Sequence, residues 1–269
     1  MAGISRAWRP DPTFTRLLPG SCWQCGSELL AATEPPKSLS VAHLSKAYGA
    51  TPAVQDLSFE LGGGEIAGLL GPNGAGKTTT LLCLAGLLRP DSGQVAWQGE
   101  DLGSHRSRFV ALVPDSPDVF EMLTVWEHMI FVARSCRLVG DWSGRASALL
   151  ERFGMSAHRD TLGAALSRGM RQKVLIATSV LADKPVLLLD EPMVGLDPTG
   201  QQELRQLLLE LRQQGVAIMV STHLLENAKS FCDRLLVLKQ GGLVASGELA
   251  EVVGRYGGSL EAAFLEVTT

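Results

Sequence analysis

Short apolar runs recur along the chain, separated by stretches with helical spacing. Leu39 to Leu44 and Val54 to Leu61 alternate apolar and polar positions, which predicts two short antiparallel strands, with a turn at Gly62-Gly63-Gly64. Ile66 to Leu70 is a continuous apolar run and reads as a strand buried on both faces. A glycine-rich segment follows, then a helical pattern over Thr79 to Leu88 that stops near Arg89-Pro90. Gly93 to Gly99 and Phe109 to Val113 read as further strands, the second ended by Pro114. From Val119 to Leu181 helical spacing dominates, in Val125 to Cys136, Gly144 to Phe153 and Arg171 to Leu181. Val186 to Leu189 and Ala217 to Ser221 are apolar strands, with amphipathic helices at Gln201 to Gln213 and Leu224 to Phe231. Arg234 to Leu238 and Leu243 to Ser246 form a hairpin across Lys239 to Gly242. Buried strands alternating with helices imply an α/β fold with a mostly parallel sheet, preceded by an antiparallel β portion and interrupted by a helical insertion at about residues 117–181.

The first 37 residues do not share this order. They are rich in Pro, Arg, Trp and Ser, lack periodicity, and end at Pro35-Pro36, so residues 1–37 read as a flexible extension and 38–269 as one domain. Cys22-Trp23-Gln24-Cys25 resembles half of a zinc ribbon, but a structural zinc needs four ligands and no second pair lies nearby. Two free thiols is the reading taken; zinc shared between two chains is the alternative. The five cysteines suggest no disulfide framework, and the N-terminus has no secretory pattern, so a reducing compartment is expected.

Composition narrows the functional classes. Apolar residues make up 45% and charged residues 19%, the mix of a globular protein. A net charge of −4 gives no basic footprint for nucleic acid. No apolar run approaches the roughly 18–20 residues needed to span a bilayer.

The chemistry begins at Gly71-Pro72-Asn73-Gly74-Ala75-Gly76-Lys77-Thr78, which matches G-x-x-x-x-G-K-[ST] between a strand and a helix. Glycines let backbone N–H groups close around phosphates, and the helix start adds partial positive charge. Lys77 would reach the β- and γ-phosphates, Thr78 would ligate Mg²⁺, and Thr79 continues the cradle. Val186 to Leu189 then delivers two carboxylates, Asp190 for Mg²⁺ and Glu191 as general base on the attacking water.

Leu166-Ser167-Arg168-Gly169-Met170-Arg171-Gln172 opens the helix that follows the insertion. With this segment the chain resembles the nucleotide-binding domain of ATP-binding cassette (ABC) proteins, P-loop NTPases whose signature usually runs LSGGQ. The resemblance extends from Leu39 to Glu266. It implies that Tyr48 stacks on adenine, although a lone aromatic residue also suits ordinary packing. It implies that Asp197, in Gly195-Leu196-Asp197-Pro198, lies in the loop that crosses a dimer. It implies that His223, in Ser221-Thr222-His223, reaches the γ-phosphate. Two copies would pair head to tail, with ATP between the phosphate loop of one and Ser167 and Gly169 of the other. The expected activity is ATP hydrolysis with Mg²⁺.

Two positions depart from the family pattern. Asp115 stands where a Gln normally contacts Mg²⁺ and the attacking water, and Arg168 replaces the first signature glycine. A carboxylate remains a hard ligand for Mg²⁺ but adds negative charge beside a polyphosphate. Asp115 is therefore expected to slow turnover without abolishing it, and Asp115→Gln to be faster at saturating Mg²⁺. Arg168-Gly169-Met170 and the C-terminal stretch through Glu266 resemble exporters whose ATPase and membrane chains are separate. The partners implied are a second ATPase subunit, a homodimer, and an integral membrane permease, which would hold the chain at the inner face of the cell membrane. Val119 to Leu123 is either the docking surface or core. A soluble ABC ATPase acting on ribosomes or DNA would need tandem cassettes, coiled coils or zinc modules. An ATP sensor without hydrolysis would fit Asp115 but not the presence of Glu191 and His223.

Overall fold

The computed structural model describes residues 37–223 and 225–255. The N-terminal extension with Cys22 and Cys25, and the C-terminal stretch from Ser259 to Glu266, lie outside the described residues.

Strands β1 (Ser38–Tyr48) and β2 (Thr51–Gly62) form the antiparallel hairpin expected, and each runs beyond its alternating segment to the tip at Gly49. They belong to a four-stranded sheet with β4 (Ser92–Trp97) and β5 (Glu100–Asp101), in the order β2-β1-β4-β5. The second sheet contains β3 (Ile66–Leu70), β6 (Val110–Val113), β7 (Val186–Asp190), β8 (Ala217–Thr222), β9 (Arg234–Lys239) and β10 (Gly242–Glu248). Its order is β10-β9-β3-β8-β7-β6, parallel throughout except for the antiparallel edge strand β10.

The central strands are buried on both faces, and their alternation divides the interior into two cores. Leu187 and Leu189 of β7, with Ile218 and Val220 of β8, point into one core. Val186 and Leu188, with Ala217 and Met219, point into the other. The second core is closed by helix α1 (Lys77–Ala85) and the antiparallel sheet. The first is closed by α2 (Val125–Ser135), α3 (Trp142–Arg152), α4 (Arg168–Leu181), α5 (Pro198–Gln213), α6 (Leu225–Phe231) and α7 (Leu249–Arg255). No helix among the described residues is long and apolar enough to cross a membrane.

Helix boundaries differ from the apolar spacing where local chemistry sets them. Helix α1 begins at Lys77, two residues before its apolar pattern, and ends at Gly86, whose φ of 76° is a left-handed cap. Helix α4 begins at Arg168 because the Ser167 hydroxyl accepts a hydrogen bond from the Met170 N–H at 3.3 Å. Helix α5 begins at Pro198, whose fixed φ suits the first helical position.

A candidate nucleotide site at the carboxyl edge of the parallel sheet

Strand β8 lies between β3 and β7, so three carboxyl ends converge at one edge. Ligands of open α/β sheets sit in the crevice outside such ends. Here the edge carries the glycine-rich loop after β3, Asp190 and Glu191 after β7, and Ser221 to His223 after β8.

Residues Asn73, Gly74, Ala75, Gly76, Lys77, Thr78 and Thr79 line a cavity of about 350 Å³, together with Ala53, Asp115, Asp190 and Glu191. The loop turns tightly at Gly76, with φ of 101°, and a Cβ there would come 2.2 Å from the Ala53 carbonyl oxygen. Only glycine fits that position. The first turn of α1 carries no acidic side chain of its own, so within the helix nothing offsets the positive end of its dipole.

Lys77 is buried, and its Nζ donates to the carbonyls of Gly71 at 2.7 Å and Pro72 at 3.3 Å. Burial pulls its ammonium below the usual lysine range, while the charges of Glu191 and Asp190 act in the opposite sense. A polyphosphate would add to the carboxylates' side of this balance and keep Lys77 charged.

Asp190, also buried, accepts a short hydrogen bond from the Ser221 hydroxyl. The backbone N–H of Glu191 donates to the Ser221 Oγ at 3.1 Å and to the Ser221 carbonyl at 3.2 Å. Glu191 holds a φ of 46°, in the left-handed region that side chains rarely adopt. Its Oε1 lies 2.8 Å from Nδ1 of His223. Ser221 thus fixes both carboxylate-bearing residues from one strand. Sequence reasoning gave Ser221 no role of its own; its signal was a hydroxyl at the end of an otherwise apolar strand. Ala53, the carbonyl against Gly76, carried no signal at all.

The remaining predicted residues fall in two other places. Tyr48 stands at the tip of the β1–β2 hairpin, 53% exposed, so it is not a core residue, and it does not line the cavity. Ser167 and Gly169 open α4, and Asp197 precedes α5. These two helix starts touch: a Cβ on Gly169 would lie 2.7 Å from the Gly195 carbonyl oxygen. Asp197 pairs with Lys173 of α4 at 2.9 Å, and that contact holds its carboxyl below the usual range.

Thr78, Asp190 and Asp115 line the cavity, and the donors they could offer a metal are all oxygen. Among the described residues no group of three His, Cys, Asp or Glu side chains is placed to hold a metal alone. Mg²⁺ fits such a site, since it commonly takes one or two carboxylates and completes its shell with water and phosphate.

The fold, the phosphate loop and the paired carboxylates define a P-loop nucleotide-binding protein. The ABC transporter family model matches residues 54–194, and the chain belongs to that family. The lipopolysaccharide export system ATP-binding protein LptB of Haemophilus influenzae is 34% identical over 222 residues, covering 80% of this chain and 92% of that protein. The SkfA peptide export ATP-binding protein SkfE of Bacillus subtilis is 39% identical over 208 residues, covering 77% and 87%. A solved ATP-binding subunit of an ABC transporter superposes with a TM-score of 0.81 at 33% identity, covering 86% of this chain and 99% of that one. The protein is an ATP-binding subunit of an ABC transporter and an ATPase.

Proposed function

We propose that the chain works as a head-to-tail homodimer that hydrolyses Mg-ATP and drives export through a separate membrane permease. The observation that carries this reading is the separation of two half-sites. Lys77, Thr78, Asp190 and Glu191 share one cavity, whereas Ser167 and Gly169 open a different helix. A second copy would bring its Ser167 edge to the phosphate loop of the first, and the start of its α4 is suited to an anion. The export systems named for LptB and SkfE support the direction of transport.

In this mechanism the phosphate loop binds the polyphosphate through backbone N–H groups and Lys77. Thr78, Asp190 and Asp115 would hold Mg²⁺, which would supply charge neutralisation at the phosphates. Glu191 takes a proton from the attacking water, and His223 orients the Glu191 carboxylate and reaches the γ-phosphate. Ser221 keeps Asp190 and Glu191 in register. Tyr48 stacks on adenine, and Asp197 contacts the partner copy.

The permease surface lies on the helical insertion. Phe120 and Met122 are 56% and 82% exposed, and Phe131 packs edge-on against Phe120 at 5.2 Å. Val119 and Leu123 are partly buried, so only part of the apolar run is available to a partner. This exposure supports docking beside Asp115, on the segment that also lines the nucleotide cavity. The carboxylate experiment is direct: Glu191→Gln should bind ATP, lose at least about a hundredfold in turnover, and sediment as a dimer with ATP. A strictly monomeric variant in excess ATP would sink the model.

A further inference from the structure

Asp115 lines two cavities. Besides the nucleotide cavity, it borders a space of about 480 Å³ shared with Asp118, Leu166, Arg168 and Arg171. The two departures from the family pattern, an acid in place of an amide and a base in place of a glycine, therefore face the same space. They are far apart in sequence, and the packing of α4 against the loop after β6 brings them there.

The two arginines are held differently. Arg171 donates from Nε to the Leu166 carbonyl at 3.1 Å and from Nη2 to the Ala164 carbonyl at 3.4 Å, which fixes its guanidinium in the wall. Arg168 is exposed at the first position of α4, and a Cβ on Gly195 would lie 3.8 Å from its Nε. Among the described residues, the side chains of Asp115 and Arg168 have no hydrogen-bond or ion-pair partner. Arg168 is thus the basic group free to follow Asp115. Charges of opposite sign that line one small cavity attract each other across it, and salt weakens that attraction.

We propose that Arg168 is a positioning residue for Asp115. Before Mg²⁺ arrives, the guanidinium draws the Asp115 carboxylate toward the start of α4 and offsets its charge, so that ATP is not repelled. When Asp115 turns to the metal, Arg168 is released at the helix start that faces a second copy. Each substitution thereby compensates the other. The inference rests on the reading of Asp115 as a group that contacts Mg²⁺.

The test is a double-mutant cycle on ATP affinity, measured without Mg²⁺ in EDTA at dilute protein. The variants are Asp115→Gln, Arg168→Gln, their combination, and Arg168→Lys. Arg168→Gln should weaken metal-free ATP binding about fivefold in the parent, about 1 kcal/mol, and less than about twofold in the Asp115→Gln background. Arg168→Lys should keep parental affinity, and excess Mg²⁺ should shrink the coupling. Equal effects of Arg168→Gln in both backgrounds would overturn the inference, as would Arg168→Lys behaving like Arg168→Gln. If Arg168→Gln fails to fold, the other two single variants decide: Asp115→Gln and Arg168→Lys must both leave metal-free binding within about twofold of the parent, and a severalfold gain in Asp115→Gln would overturn the inference, because it would show the Asp115 charge is not offset. ATP binding with additive effects overturns only this inference, whereas loss of ATP binding in the parent overturns the functional reading too.

Discussion

Ser221 is a small residue that the two carboxylates depend on. Its hydroxyl donates to Asp190 and accepts from the Glu191 N–H, so one oxygen serves a buried acid and a strained backbone. Removing it leaves Asp190, 3% exposed, without that donor. Ser221→Ala should therefore cost about 1–3 kcal/mol in stability, read by denaturant melts. Turnover should fall by at least about tenfold while ATP affinity changes little, because Lys77 and the loop N–H groups remain. An unchanged turnover would show that Asp190 is held by other means. Residue types at this scale were legible where chemistry demands them: Gly76, Lys77 and the Asp190-Glu191 pair declare themselves by pattern. Ser221 did not, because a serine at a strand end is common and its meaning comes from which strand lies beside it.

Helices and strands were legible in existence more than in extent. Apolar spacing marks the part of a helix that packs, and α1, α4 and α5 each begin before that part does. Their starts follow from Gly76, Ser167 and Pro198, which act on the backbone rather than on the core. Helix α3 is tied to α5 by Arg152, whose guanidinium bonds Glu210 in a two-pronged pair and reaches Glu203 at 3.3 Å. That pair holds the Glu210 carboxyl below its usual range. A depressed carboxyl stabilises fully above its unfolded value of about 4.3 and loses that contribution as pH falls through the lower folded value. Glu210→Gln should thus melt below the parent at pH 7, and the two melting temperatures should converge in acid. A constant gap across pH 3 to 7 would assign the effect to packing instead.

For the whole molecule, strand order escaped the sequence. Periodicity predicts a parallel sheet but not that β8 inserts between β3 and β7, because neighbours in a sheet are chosen by non-local packing. That insertion brings His223 to Glu191 and lets the loop, the carboxylates and Ser221 share one edge. The signature residues Ser167 and Gly169 were equally legible as a motif, yet they stand apart from the cavity, and in the proposed dimer a second copy brings them to it. The exposed Phe120 and Met122 are the face proposed for the membrane partner. Replacing both with Ser should leave ATPase activity and melting temperature of the isolated chain nearly unchanged, since exposed substitutions usually stay within about 0.5 kcal/mol. Transport, and co-purification with the permease, should be lost. Undiminished transport would move the docking face elsewhere.

Glu191 carries its carboxylate on a backbone turned to φ 46°. A side chain in that region costs about 1–2 kcal/mol, part of which glycine returns through its freer unfolded chain. Glu191→Gly should melt a few degrees above the parent, by about 1 kcal/mol, whereas Glu191→Gln, which keeps the Cβ, should gain nothing. With Glu191 in its proposed role as general base, breeding this protein for heat resistance would consequently favour inactive chains at position 191, and a thermostability screen run without an activity counter-selection would enrich them.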